Sequence, residues 1–322
     1  MKTIIPPKLK KGDKIMIIAP ACSATTVPAL ARKKAEKHLK DMGFISSYSK
    51  HAFEQTMLTS SSIDSRIKDL HLAFKDKSVK GIICVRGGFN SNTLLPHINW
   101  KLLKSNPKPL IGYSDITALS NALYAKTGLV SYSGPVLLTL GNKDQQSVKY
   151  TKEYLQKCVM SSESFGITPS AERSDLQTSI KPFIFQAGSA EGIVVGGNLC
   201  TLNLLQGTEY MPEIKNSILF IEEDDFNGEH TDISFDRDLE SLLQLPGASS
   251  IQAILVGRFP KGAEMSLEKI KFIFKSKNIS PKIPVVFNLD FGHTTPMFTF
   301  PIGGTIRVDA SGKTVKIKIL KH

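Results

Sequence analysis

A serine, a histidine and two adjacent glutamates in this 322-residue chain stand at the ends of short apolar runs, where a fold can hold reactive groups in place. Ser114 lies in Gly112-Tyr113-Ser114-Asp115, where the apolar run 109–113 gives way to helical spacing over 115–126. A hydroxyl at such a junction projects from the C-terminal edge of a parallel sheet. The N–H groups that open the helix point back toward it and can stabilise an oxyanion. This is the logic of a nucleophile elbow, although the motif is GYSD and not GxSxG. The competing reading is a serine that only caps the helix.

A serine nucleophile needs a base, and the base needs an orienting acid. His293, in Phe291-Gly292-His293-Thr294-Thr295-Pro296, follows the apolar run 284–287 in a tight loop and supplies the base. Glu222 and Glu223 end the run 218–221. Side chains alternate along a strand, so one carboxylate can face the site while the other faces solvent. Asp224 and Asp225 read as a solvated acidic loop, and Asp115 as the start of the helix. The chemistry this set offers is amide hydrolysis through an acyl-enzyme, with no metal and no cofactor required.

The elements that must position these residues differ between the two halves. In the first, apolar runs at 14–19, 81–85 and 109–113 alternate with helical spacing at 27–42, 62–74 and 115–126. Ile63, Ile67, Leu70 and Phe74 fall on one helix face. Strands alternating with helices predict an α/β fold with a parallel sheet covered on both faces. Residues 161–181 are polar and aperiodic, and predict a linker between an α/β domain over 1–160 and a β/α domain over 182–322. The second half has strand-like runs at 192–195, 218–221, 251–256 and 284–287, and helical spacing at 235–243 and 266–274. A hairpin over 305–309 and 314–319 turns through Ala310-Ser311-Gly312-Lys313.

Composition excludes several function classes. The net charge of +12 comes from lysines spread along the chain, without aromatic interleaving or a nucleic-acid-binding motif, and predicts a basic surface with no nucleic-acid partner. The four cysteines, Cys22, Cys84, Cys158 and Cys200, form no CxxC pair and predict reduced thiols without a zinc site. Pro6, Pro7 and the lysines at 8–14 interrupt any signal sequence, and no run reaches the roughly 18 apolar residues a membrane span needs, which points to the cytoplasm. Ser311-Gly312-Lys313-Thr314 lacks the upstream glycine and following helix of a phosphate-binding loop. His230 beside Glu229 has no matching ligand pair, and His38, His51, His71 and His97 read as surface or structural histidines.

GYSD at 112–115, RGG at 86–88, GGNL at 196–199, LFIEE at 219–223 and GHTTP at 292–296 occur in one order, from an opening PPKLKKGDKIMIIAPA to a closing PIGGTIRVDA. Together they resemble the LD-carboxypeptidase family of serine peptidases, which includes muramoyl-tetrapeptide carboxypeptidases and microcin C immunity peptidases. The resemblance implies a Ser-Glu-His triad of Ser114, Glu222 and His293, and favours Glu222 over Glu223. It implies oxyanion donors at the backbone of Asp115, Gly87 and Gly88, and an active site between an N-terminal α/β domain and a C-terminal swivelling β/α domain. Homodimers are common in the family. Arg86 is the expected partner of a substrate carboxylate, and Asn198 a second substrate contact. The implied substrate is a muropeptide tetrapeptide losing D-alanine; a peptidyl-nucleotide amide and a non-catalytic binding module are the alternatives. The sequence departs from the family at Phe89-Asn90, where RGGYG is usual, and in its single tryptophan, Trp100. Immunity-type members stack a nucleotide on a C-terminal tryptophan, a place Phe183 or Phe185 could take.

Overall fold

The computed structural model describes residues 2–170 and 181–322. Its strands are β1 (Lys14–Ile18), β2 (Ile45–Tyr48), β3 (Val79–Cys84), β4 (Leu110–Gly112), β5 (Ser131–Ser133), β6 (Phe165–Ile167) and β7 (Phe183–Gln186), followed by β8 (Ser189–Asn198), β9 (Ser217–Glu222), β10 (Ala253–Gly257), β11 (Val285–Leu289), β12 (Phe300–Ile302), β13 (Thr305–Asp309) and β14 (Lys316–Lys321). They build a six-stranded sheet in the order β12-β5-β4-β3-β1-β2 and an eight-stranded sheet in the order β6-β14-β13-β8-β9-β10-β11-β7.

Burial patterns explain which strands take the middle. Every residue of β4, β9 and β10 is buried, as parallel strands covered on both faces require. The parallel ladders β5-β4-β3-β1-β2 and β8-β9-β10-β11 are the cores of the two sheets. In β14, Ile317 and Ile319 are buried while Lys316 and Lys318 are exposed, so this antiparallel strand shows one face to water.

Helices follow their capping signals. The helix Ile63–Lys75 starts where the Ser62 side chain accepts from Ser65 N. The helix Ile116–Thr127, buried on most of its surface, ends at Gly128 in the left-handed region at φ 77°. Cys22, Cys84, Cys158 and Cys200 are all free thiols, and Cys200 alone among them is exposed. Among the described residues no helix is long and apolar enough to cross a membrane.

Two features differ from the sequence expectation. Residues 300–302 leave the C-terminal half and pair as β12 with β5, so the first sheet is completed by the second half of the chain. Within the segment expected to be a linker, β6 pairs with β14, placing Phe165 opposite Ile319 and Ile167 opposite Ile317. Both strands are three residues long, too short for alternation to register. Residues 171–180 of the expected linker lie outside the described residues.

Candidate active site

Ser114 follows the end of β4 by two residues and has φ 65°. A residue with a Cβ is held in this left-handed region at a cost of roughly 1–3 kcal/mol. The turn is secured by Thr117 N–H, which donates to Ser114 O at 2.8 Å. The hydroxyl does not cap the helix: Asp115 occupies the cap position, and its side chain makes no capping bond. Ser114 Oγ instead lies 2.9 Å from His293 Nε2.

His293 reaches the serine from the second sheet. Its Nδ1 is 2.6 Å from Glu222 Oε2, at the end of β9. A carboxylate on Nδ1 fixes the tautomer with a bare Nε2, the acceptor a serine hydroxyl needs. The loop can lie this close because residue 292 is glycine: with φ 92°, it would put a Cβ 2.5 Å from Glu222 Oε2. Glu222 is 2% exposed.

A cleft of about 300 Å³ opens onto Ser114 and His293, between the loop carrying Arg86, Gly87 and Gly88 and the turn carrying Asp224, Asp225 and Phe226. The first loop passes very close to Ser114. A Cβ on Gly87 would stand 2.6 Å from Ser114 Oγ, and one on Gly88 2.8 Å from Cys22 Sγ. Asp115 ties the loop down. Its buried carboxylate accepts from Asn90 N at 3.1 Å and Ser91 N at 2.9 Å, and its carbonyl accepts from Ser91 Oγ at 2.6 Å. Among the described residues no backbone carbonyl accepts the N–H groups of Gly87, Gly88 or Asp115. Main-chain donors beside a hydroxyl bonded to an imidazole suit acyl transfer.

The first of two family models that match is the LD-carboxypeptidase N-terminal domain, over residues 15–134, and the second the LD-carboxypeptidase C-terminal domain, over 191–308. The chain belongs to the LD-carboxypeptidase family. It is 46% identical to the putative carboxypeptidase YocD of Bacillus subtilis, covering 98% of this chain and 99% of that one. It is 31% identical to the probable murein peptide carboxypeptidase of Bacillus subtilis, over 97% and 94%. The crystal structure of an MccF-like protein from Bacillus anthracis superposes with a TM-score of 0.95 at 43% identity, covering 99% of this chain and 100% of that one. The two-domain α/β architecture and the serine-hydrolase class expected from the sequence are those of this family.

Within this LD-carboxypeptidase fold, the carboxylates around His293 set its charge. Burial disfavours the imidazolium, but Glu222, and behind it Asp224 and Glu223, outweigh burial and raise its pKa to about 9. The sequence places Asp224 in a solvated loop. Its Oδ2 instead lies 4.0 Å from His293 Nε2, on the cleft wall. Strand alternation expects Glu223 to face solvent if Glu222 faces the site. Glu223 is instead 4% exposed, and its carboxylate accepts from Asn198 Nδ2 at 2.6 Å and Cys200 N at 3.0 Å. Strand pairing stops at Glu222, so alternation no longer dictates where Glu223 points. Burial, then the neighbouring Glu222 charge, pushes Glu223 up to about 7.

Three sequence expectations for substrate contacts meet different surroundings. Arg86 lines the cleft. Asn198 is buried behind Glu222: it caps the helix Leu199–Asn203 by accepting from Thr201 N and gives its amide to Glu223, so its side chain is committed away from the cleft. Phe183 and Phe185 stack on Phe287 of the second sheet, at 6.2 and 5.2 Å between ring centroids. Beside Tyr113, the cleft is lined by Phe89 and Phe226, which the sequence does not mark because both sit in loops without periodicity. They are 69% and 72% exposed, with centroids 4.9 Å apart. Away from the cleft, Cys200, Glu223 and Asp238 bring possible metal-ligand atoms within 4.8 Å of one another, but the Glu223 oxygens already accept the bonds above.

Proposed function

We propose that the protein is a serine carboxypeptidase that cleaves an amide through Ser114, His293 and Glu222, and that its substrate is the L,D bond of a muropeptide tetrapeptide, releasing terminal D-alanine. The observation that carries this reading is the hydrogen-bonded line from Ser114 Oγ through both ring nitrogens of His293 to Glu222. His293 Nε2 takes the hydroxyl proton as Ser114 Oγ attacks the amide carbonyl. The tetrahedral oxyanion lies against the main-chain N–H groups of Asp115 and the Gly87-Gly88 turn. Collapse expels the amine, which receives the proton from His293, and water, deprotonated by the same nitrogen, hydrolyses the ester. Glu222 holds the tautomer and offsets the imidazolium charge. Arg86, on the cleft wall, pairs with the terminal carboxylate of the substrate.

A second reading, an immunity-type peptidase acting on a peptidyl-nucleotide amide, is favoured by the Phe89–Phe226 pair, which puts two exposed aromatic rings, tilted 54° to each other, at the cleft. Purified protein given a muropeptide tetrapeptide and, separately, a peptidyl-adenylate mimic decides between them. Release of D-alanine alone supports the first reading, and release of the nucleotide alone the second. Cleavage of neither, or equal cleavage by Ser114→Ala, ends the serine-peptidase reading.

A further inference from the structure

Ser114 follows β4 of the first sheet, whereas Glu222 ends β9 and His293 follows β11 of the second, so the 2.9 Å contact between Ser114 and His293 spans the two sheets. A displacement of about 1 Å in such a contact costs on the order of a hundredfold in rate. Something must hold the sheets in register. Two polar side chains on the helix that follows Ser114 bond across to the second sheet, and the proposed reaction gives neither a chemical role.

Thr117 is 3% exposed and Asn121 is 0% exposed. Thr117 N–H donates to Ser114 O at 2.8 Å, and Thr117 Oγ1 accepts from Asn198 N–H at 3.0 Å. Asn198 is the register partner of Glu222 in the parallel β8–β9 ladder. The bonds thus form a ring: Ser114 to Thr117, Thr117 to Asn198, Asn198 beside Glu222, Glu222 to His293, and His293 back to Ser114. One turn along the helix, Asn121 makes a reciprocal pair with one backbone unit of β8. Its Nδ2 donates to Gly196 O at 2.8 Å and its Oδ1 accepts from Gly196 N at 3.1 Å. The same Nδ2 donates to Thr117 O at 2.8 Å, joining the two clamps.

The glycines of β8 fit this purpose. Gly197 has φ 129°, and a Cβ there would stand 2.5 Å from Thr117 Oγ1. A buried polar group is costly unless satisfied. Asn121 has both ends of its amide satisfied on the second sheet, so sliding one sheet against the other breaks several buried bonds at once.

We propose that Thr117 and Asn121 are positioning residues of the reaction: they fix the registry of the sheet carrying Ser114 against the sheet carrying Glu222 and His293. This rests on the reading of Ser114 as nucleophile. Thr117→Val keeps the shape and removes the acceptor; Thr117→Ser keeps the hydroxyl. The control is Thr127→Val, at the far end of the same helix, where among the described residues the hydroxyl bonds only Leu123 O and Leu129 N.

The test measures kcat and KM, labelling of Ser114 by a fluorophosphonate, thermal unfolding, and the low-field proton resonance of the His293–Glu222 bond. Thr117→Val is expected to lose about tenfold to a hundredfold in kcat and in labelling rate. KM should hold, and so should the low-field resonance, because His293 and Glu222 ride on the same sheet. Thr117→Ser is expected to restore the rate, and Thr127→Val to lower stability without lowering kcat. Thr117→Val at wild-type kcat, equal losses in Thr117→Val and Thr117→Ser, or an equal loss in Thr127→Val overturns the proposal. If Thr117→Val does not fold, Asn121→Asp, which loses the donor to Gly196 O, gives the same comparison. If wild-type protein neither cleaves an amide nor labels at Ser114, the reading of Ser114 fails first and this inference falls with it.

Discussion

Gly87 and Ser114 are packed so closely that a single added methyl group on the glycine would stand 2.6 Å from the serine oxygen. No flexible tail separates them, and the loop cannot retreat freely because Asp115 accepts from both Asn90 N and Ser91 N. Gly87→Ala is therefore expected to displace Ser114 Oγ or the main-chain donors beside it. The loss in kcat should be on the order of 10²–10³, as for removal of an oxyanion donor. Circular dichroism and unfolding should stay close to wild type. A variant with near wild-type kcat contradicts a role for this loop's packing against Ser114.

With His293 as the proposed base, the carboxylates around it predict an alkaline pH profile. The imidazole is protonated below its pKa of about 9, and only the neutral ring accepts the Ser114 proton. The kcat/KM should therefore climb with pH up to about 9. Asp224→Asn removes one of the charges that hold the proton on, so the limb should move toward neutral pH, by roughly one pH unit. A pH profile of both proteins checks this. A wild-type limb at the ordinary 6.5, or no change in the variant, contradicts it.

The same groups link stability to pH. The folded Glu223 carboxyl sits at about 7 against an ordinary 4.5, so the folded chain binds this proton more tightly than the unfolded chain does. Its stabilisation is complete below 4.5 and is lost as pH rises through 7. His293 adds the same trend between its ordinary 6.5 and about 9. Every tenfold difference in proton affinity between the folded and unfolded chains corresponds to about 1.4 kcal/mol. Urea unfolding should therefore show stability falling across this range, and Glu223→Gln should flatten the part below 7. Equal slopes in the two proteins contradict the account.

Phe89 and Phe226 come from loops on different sheets and meet at the cleft with their rings 4.9 Å apart. Neither touches the proton-transfer line, so truncation should change binding more than chemistry. Phe89→Ala and Phe226→Ala are each expected to raise KM about threefold to tenfold, the scale of one aromatic contact, with kcat near wild type. Steady-state kinetics on whichever amide is cleaved provides the check. A fall in kcat at constant KM contradicts a binding role.

The fold and the proposed site were legible in the sequence to different depths. Ser114, His293 and the pair Glu222–Glu223 stand out because each ends or follows an apolar run, with the family motif favouring Glu222, and buried parallel strands announce themselves by continuous hydrophobicity. The three-residue strand Phe300–Ile302 carries no period, so its return to the first sheet could not be read. Asp224 looked like solvent-facing acid because nothing local marks a turn folding back on a histidine from another segment. Asn198 reads as a substrate contact in the sequence, yet its place before a helix suits a cap, and in the fold its amide nitrogen donates to Glu223 while its oxygen accepts from Thr201 N. Thr117 and Asn121 are ordinary polar residues in helical spacing; only the second sheet lying against them gives them a task.

The central claim is that Ser114 is acylated with His293 as its base. Its most direct test is intact-protein and peptide mass spectrometry after treatment with a fluorophosphonate, or after rapid quenching with a slowly hydrolysed tetrapeptide. The expected result is one adduct, on Ser114, lost in Ser114→Ala and formed far more slowly in His293→Ala. An adduct on another residue, or tetrapeptide cleavage by Ser114→Ala at the wild-type rate, would contradict the account.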